Sequence, residues 1–239
     1  MFPAKLLLVF SILLGFFLAI TSPSANSADS IRRALEARYQ HARTLSAAFF
    51  ERYSDGNGGV VAESGTVYFS RPGRMRWEYE SPEQKLFLVD GANAWFYVPA
   101  DRTASRAKMK ESSDWRTPLA LLAGKADLSK LCRSLAVAAP GSEPAGVKSV
   151  GPLSAGNTLL RCAPRVDQDE PGSLKEVLFE VDPEARLARV VIREAGNAET
   201  EFRFGNWQEN VVIPEAKFHF QPPPGVAVVD EESLANQIR

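Results

Sequence analysis

Residue types that transfer protons or hold metals are sparse in this 239-residue chain, which has only two histidines, His41 and His219. His41 falls among the charged residues of a helical stretch, and His219 stands between Phe218 and Phe220 in a strand-like run. Neither belongs to a zinc-ligand signature or a nucleophile-base-acid arrangement, which need their partners at set spacings. Ser112-Ser113-Asp114 and Asp167-Gln168-Asp169-Glu170 read as solvated loops, and no glycine loop of the phosphate-binding kind is present. Catalysis, a cofactor and a metal centre are therefore not expected. The two cysteines, Cys132 and Cys162, offer redox chemistry instead. Without a histidine pair nearby they make a poor metal site.

Their compartment follows from the start of the chain. Lys5 opens a basic start, residues 6–20 form an apolar run, and residues 21–28 are small and polar, which is the layout of a secretory signal peptide. An apolar run of about 15 is short for a membrane span of about 20. Residues 1–28 are expected to be a leader cleaved after Ser27 or Ala28, leaving one exported, soluble domain over 29–239. Export places both cysteines where a disulfide persists, and both lie in strand-like segments of one region, so they are expected to pair. A formal charge of −1 gives no basic footprint for nucleic acid, and 45% apolar residues suffice for a sizeable core.

The elements that must position any site are mostly strands. Runs rich in Val, Tyr, Phe and Trp between residues 65 and 99 are cut by Arg71-Pro72-Gly73, Ser81-Pro82-Glu83 and Asp90-Gly91-Ala92-Asn93, the spacing of an antiparallel meander. Alternation puts Val67 with Phe69, Met75 with Trp77 and Tyr79, and Trp95 with Tyr97. Tyr68, Phe87, Val89, Phe96 and Val98 fall on the other face, so both faces are greasy and both need a cover, by helices or by something bound.

Before the meander, Asp29 or Ser30 can cap a helix from Ile31, whose apolar stripe is Ile31, Leu35, Ala42, Leu45 and Phe49. A first strand is expected at 47–53, a hairpin turn at 55–59 and a second strand at 60–70. Thr117 caps a short helix with Pro118 in its first turn and Gly124 at its end; Leu119, Leu121 and Leu122 make it apolar all round, so it should plug or lid a hydrophobic space. Further strands are expected at 102–111, 131–138, 157–162, 174–181, 187–194, 199–207, 217–220 and 226–230.

The exported start, Ser70-Arg71-Pro72-Gly73-Arg74-Met75-Arg76-Trp77-Glu78-Tyr79, Leu88-Val89-Asp90-Gly91-Ala92-Asn93-Ala94-Trp95-Phe96-Tyr97, Thr117-Pro118-Leu119 and Phe218-His219-Phe220-Gln221-Pro222 with Gly225-Val226 together resemble the LolA family of periplasmic lipoprotein carriers. The resemblance spans the chain after the leader. The chain departs from the family's pattern in its two cysteines and in the long loops at 140–156 and 163–172.

The resemblance implies a mainly β fold with an α lid: an incomplete antiparallel β-barrel covered by the N-terminal helix and the short internal helix. It implies a monomeric periplasmic chaperone that carries lipoproteins from the inner to the outer membrane, loaded by a LolCDE-like transporter and unloaded to a LolB-like acceptor. The acyl-chain cavity would be lined by Leu35, Leu45, Phe69, Met75, Trp77, Trp95, Leu119, Leu121 and Leu122, and Arg71, the arginine before proline, would hydrogen-bond the lid and set its closed state. The other reading of the same half-barrel is a lipid-sensing regulator of envelope stress.

Overall fold

The computed structural model describes residues 24–109, 122, 127–138, 154–165 and 173–231. They form α1 (Ser24–His41), β1 (Thr44–Ser54), β2 (Val60–Ser70), β3 (Arg74–Ser81), β4 (Lys85–Val89), β5 (Asn93–Val98), β6 (Thr103–Lys108) and α2 (Leu128–Leu131). There follow β7 (Cys132–Val137), β8 (Thr158–Pro164), β9 (Leu174–Val181), β10 (Leu187–Glu194), β11 (Glu199–Glu209), a 3-10 helix (Glu215–Phe218) and β12 (Ala227–Glu231). All 12 strands join one unclosed sheet in the order β12-β6-β5-β4-β3-β2-β1-β11-β10-β9-β8-β7. Each adjacent pair is antiparallel except β12, which runs parallel to β6.

The sheet curls. Trp77 on β3 and Phe202 on β11 are three strand spacings apart, about 14 Å along a flat sheet, yet their ring centroids are 5.6 Å apart. Curling is helped where β2 shifts register between Ser64 and Gly65, because a Cβ on Gly65 would lie 1.9 Å from the Glu78 carbonyl oxygen. The side on which Trp77 and Phe202 meet is the concave side, and it holds the main core.

α1 lies on that side. Ala28, Leu35, Tyr39 and Ala42 form its buried stripe and its continuation, while Arg33, Ala34 and Ala37 face outward. The helix begins at Ser24, ahead of the expected Ile31, and ends at His41, so Leu45 and Phe49 are strand residues rather than a continuation of the helical stripe. Both periods fit the apolar positions here. Pairing of β1 on both edges, with β2 and with β11, satisfies the backbone along its length and decides for the strand.

Residues 217–220 are the other departure. They fall on and just after the 3-10 helix, between Pro214 and Pro222, where ladder donors are missing. The expected Cys132–Cys162 disulfide is formed across 30 residues of chain, and closing a loop of that size stabilises by roughly 3–4 kcal/mol. The short helix expected at 117–124 lies outside the described residues apart from Leu122, which is buried in the concave core.

Candidate functional site

Cross-strand register sorts the aromatic residues onto the two faces. Val67 pairs with Trp77, Phe69 with Met75 and with Leu45, Trp77 with Phe87 and Met75 with Val89, so all of these share the concave face. Leu88 pairs with Trp95 and with Arg76, which puts Trp95 on the convex face. Phe87, Val89 and Phe96, expected opposite Trp77, lie on its side.

Trp77 is fully buried at the hub of the concave face. Its ring meets Phe49 at 4.9 Å, Phe202 at 5.6 Å, Phe69 at 6.1 Å and Phe204 at 6.2 Å, all edge-on. Such ring pairs each add roughly 0.5–1.5 kcal/mol beyond the area they bury. Leu35 of α1, Leu45 of β1 and Leu122 belong to the same cluster, and Met75 packs against it. Of the expected cavity residues the structure thus brings together Leu35, Leu45, Phe69, Met75, Trp77 and Leu122. Leu119 and Leu121 lie outside the described residues.

Trp95 does not join them. It packs with Leu86, Leu88 and Phe218 in a separate convex cluster, edge-on to Phe220 at 5.4 Å. The 3-10 helix covers this cluster and is pinned there: Lys217 Nζ bonds both Glu78 oxygens at 2.8 and 2.9 Å, Arg76 donates to the Lys217 carbonyl at 3.0 Å, and Arg74 pairs with Glu215. Beside it a groove of about 690 Å³ is lined partly by Arg76, Glu78, Lys217 and Phe220, a more polar wall than the concave one.

α1 is fastened over the concave core along its length. Glu36 Oε1 accepts from the Leu128 N–H at 2.7 Å and Oε2 from Arg32 at 2.6 Å. Burial raises the Glu36 pKa while those two donors oppose it. Tyr39 Oη accepts from the Leu187 N–H at 2.9 Å, and Arg38 pairs with Glu209 at 2.5 Å. At the C-terminal end Arg71 Nε donates to the Ala42 carbonyl at 2.5 Å, and the Arg71 N–H donates to the Arg43 carbonyl at 3.0 Å. Burial lowers the Arg71 pKa. Arg71 therefore ties the β2–β3 corner to the α1–β1 junction.

Sequence patterning missed several residues of this wall. Phe202 and Phe204 on β11 and Phe179 on β9 are buried in the core, and the alternation Thr200, Phe202, Phe204 is the signal that marks them. Glu51 was passed over as well. It follows Leu45, Ala47 and Phe49 at the strand period, is 1% exposed, and accepts from Tyr79 Oη at 2.8 Å. Burial pushes its pKa up to about 8, with the Tyr79 hydrogen bond opposing the rise.

The two histidines are not brought together. His41 ends α1, its Nδ1 2.6 Å from the Ala37 carbonyl oxygen, and His219 follows the 3-10 helix on the convex side. Residues 112–114 and 167–170 lie outside the described residues.

The comparisons with known proteins agree with this architecture. A family model described as outer membrane lipoprotein carrier protein LolA matches residues 40–144. An outer-membrane lipoprotein carrier protein of Nitrosospira multiformis is 27% identical over 223 residues, 93% of this chain and 97% of its own. One of Xanthomonas oryzae pv. oryzae is 27% identical over 201 residues, 84% of this chain and 88% of its own. The chain is similar to LolA-family lipoprotein carriers. Among solved structures, an uncharacterized conserved protein from Thermus thermophilus matches with a TM-score of 0.52 at 11% identity, over 86% of this chain and 99% of that one, a likeness of fold. The segment that the LolA model matches contains β1 to β6, and so includes Phe49, Phe69, Trp77 and Arg71 of the concave wall and its tie to α1.

Proposed function

We propose that this chain is a LolA-family periplasmic carrier that takes lipoproteins from the inner to the outer membrane with their acyl chains held against the concave face. The observation that carries the reading is the wall around Trp77, where Phe49, Phe69, Phe202 and Phe204 meet one indole on the covered side of an unclosed sheet. Each acyl methylene left in water costs about 0.8 kcal/mol, so long chains need such a surface to cross an aqueous compartment. Rings and the thioether of Met75 give soft, non-directional contacts that suit many acyl chains.

In the closed form the wall is occupied by its own cover, with Leu35, Tyr39 and Leu122 in the cluster. Cargo replaces those contacts, and its net binding is limited to the difference in free energy between the open, loaded state and the closed, empty one. Arg71 favours the closed state through the Ala42 carbonyl, so it drives release. Loading would come from a LolCDE-like transporter that supplies the work of ATP hydrolysis, and release would be to a LolB-like acceptor; the carrier itself acts as a monomer and catalyses nothing.

The test is transfer. Membranes bearing a matched inner-membrane transporter and a radiolabelled lipoprotein are given ATP and the protein. The reading expects label to become soluble in complex with the chain and then to pass to outer-membrane acceptor. Label that stays on the membrane, with the protein shown folded, would refute carriage.

A further inference from the structure

At the hairpin end of β1 the apolar concave wall carries a carboxyl group. Glu51 follows Phe49 on the same face of β1, opposite Phe202 of β11 and Glu63 of β2. Behind it stands Tyr79, 4% exposed, whose ring meets Phe49 edge-on at 5.0 Å and whose hydroxyl donates to Glu51 Oε2 at 2.8 Å. The other oxygen, Oε1, is buried and has no hydrogen-bond partner among the described residues.

The chemistry of that oxygen is set by its surroundings. Burial raises the Glu51 pKa to about 8, so at neutral pH the carboxyl is mostly protonated. Oε2 accepts from Tyr79, which leaves the acidic proton on Oε1 as a donor. The charged groups nearby are Glu63 and Lys85, and these pair with each other. Lys85 Nζ also sits 5.8 Å from the centre of the Tyr79 ring. With Lys85 already paired and two carboxyl groups side by side, this end of the wall suits a neutral acceptor better than an anion. A carbonyl oxygen that heads a long apolar chain meets both requirements: it accepts a hydrogen bond from the protonated Oε1 of Glu51 while the chain lies along Phe49, Trp77 and Phe202.

We propose that Glu51, held by Tyr79, is a specificity-determining residue that hydrogen-bonds an ester carbonyl at the head of a bound acyl chain. This deepens the carrier reading and rests on it.

The test compares two lipids that differ only in that carbonyl: dihexadecanoyl glycerol, a diester, and dihexadecyl glycerol, the matching diether, each titrated into the full chain, with free hexadecanoate as a third ligand. One neutral hydrogen bond is worth roughly a fivefold change in affinity, so the wild type is expected to bind the diester about fivefold tighter than the diether. Glu51→Leu is expected to erase that preference while leaving diether affinity in place, and Tyr79→Phe to narrow it. Glu51→Gln, which keeps a donor and the side-chain shape, is expected to retain it. Equal wild-type affinity for diester and diether overturns the subsite while leaving carriage standing, and this comparison needs no variant to fold. Tighter binding of hexadecanoate than of the diester also overturns it, since the site would then be one for an anion. If the wild type binds none of the three, the carrier reading falls and the subsite falls with it.

Discussion

The concave and convex faces of this sheet bury their side chains by different means. On the concave face Trp77 is surrounded by four aromatic rings, contacts that depend on area and shape more than on direction. On the convex face of β8 to β11 charged groups are buried beside a small apolar cluster of Leu159, Leu178 and Val191. Arg189 pairs with Glu180 at 2.7 Å and Glu201 at 3.5 Å, and Arg193 with Glu199 at 3.0 Å, while the exposed Arg203 reaches Glu201 at 2.8 Å. Around Trp95, where the convex face is apolar as well, the 3-10 helix is locked over it by Lys217, Arg76 and Arg74. Contacts without direction can be exchanged for those of an acyl chain at little cost. Ion pairs cannot, because removing one partner strands the other in a buried site. On the proposed carrier reading the convex side stays shut and the concave side is re-occupied by cargo.

Two truncations break that comparison most severely. Trp77→Ala is expected to lower stability by about 3–5 kcal/mol by opening a void among rings, and Glu201→Ala by about 1–3 kcal/mol, because Arg189 loses one of its two carboxylate partners and keeps Glu180 at 2.7 Å. Thermal or urea unfolding measures both. Binding separates the two faces: among the molecules that remain folded, the Trp77 variant should bind a hydrophobic dye or acyl chain differently from wild type, and the Glu201 variant should not.

A smaller effect comes from the carboxyl within the ring wall. Glu51 keeps its proton in the folded state up to about pH 8 and loses it in the unfolded state near 4.5, so across that window the folded chain binds more protons and rising pH destabilises it. Between pH 5 and 8 the wild type should lose up to about 1.4 kcal/mol per pH unit relative to Glu51→Gln. Unfolding curves of both proteins at several pH values check this, and parallel pH profiles would show that Glu51 is not held neutral by the wall.

Arg71→Leu should have the smallest effect on stability and the clearest effect on cycling. Losing its bond to the Ala42 carbonyl is expected to cost about 1 kcal/mol. The variant should still fold and take up lipoprotein, yet fail to pass it to an acceptor. Normal hand-over in a two-membrane assay would remove Arg71 from the release step.

Much of this was legible in the sequence, and the failures share a cause. Turn residues at 71–73, 81–83 and 90–93 marked the meander, and alternation correctly grouped Met75, Trp77 and Tyr79 along one strand. Alternation does not say which face of the sheet a strand presents, because that depends on turn length and register. Trp95 was therefore grouped with Trp77, and Phe87 and Val89 against it, until the pairs Trp77–Phe87 and Leu88–Trp95 decided otherwise. Leu45 and Phe49 were ambiguous because residues spaced by four fit both a helix stripe and alternate strand positions; the partners β2 and β11, distant in sequence, resolve them. Glu51 was passed over because a glutamate in a strand ordinarily faces water, and only its neighbours across β2, β3 and β11 make it a buried acid.

The two tryptophans also supply the most direct test of the central claim, that acyl chains occupy the concave face. Proteins that retain Trp77 or Trp95 as their single tryptophan, the others replaced by phenylalanine, are titrated with a diacyl lipid brominated along its chains, and the fluorescence is followed. The account predicts that Trp77 is quenched as the lipid binds while Trp95, sealed beneath the 3-10 helix, keeps its emission. Quenching of Trp95 with Trp77 left bright would contradict it and place the lipid on the convex face.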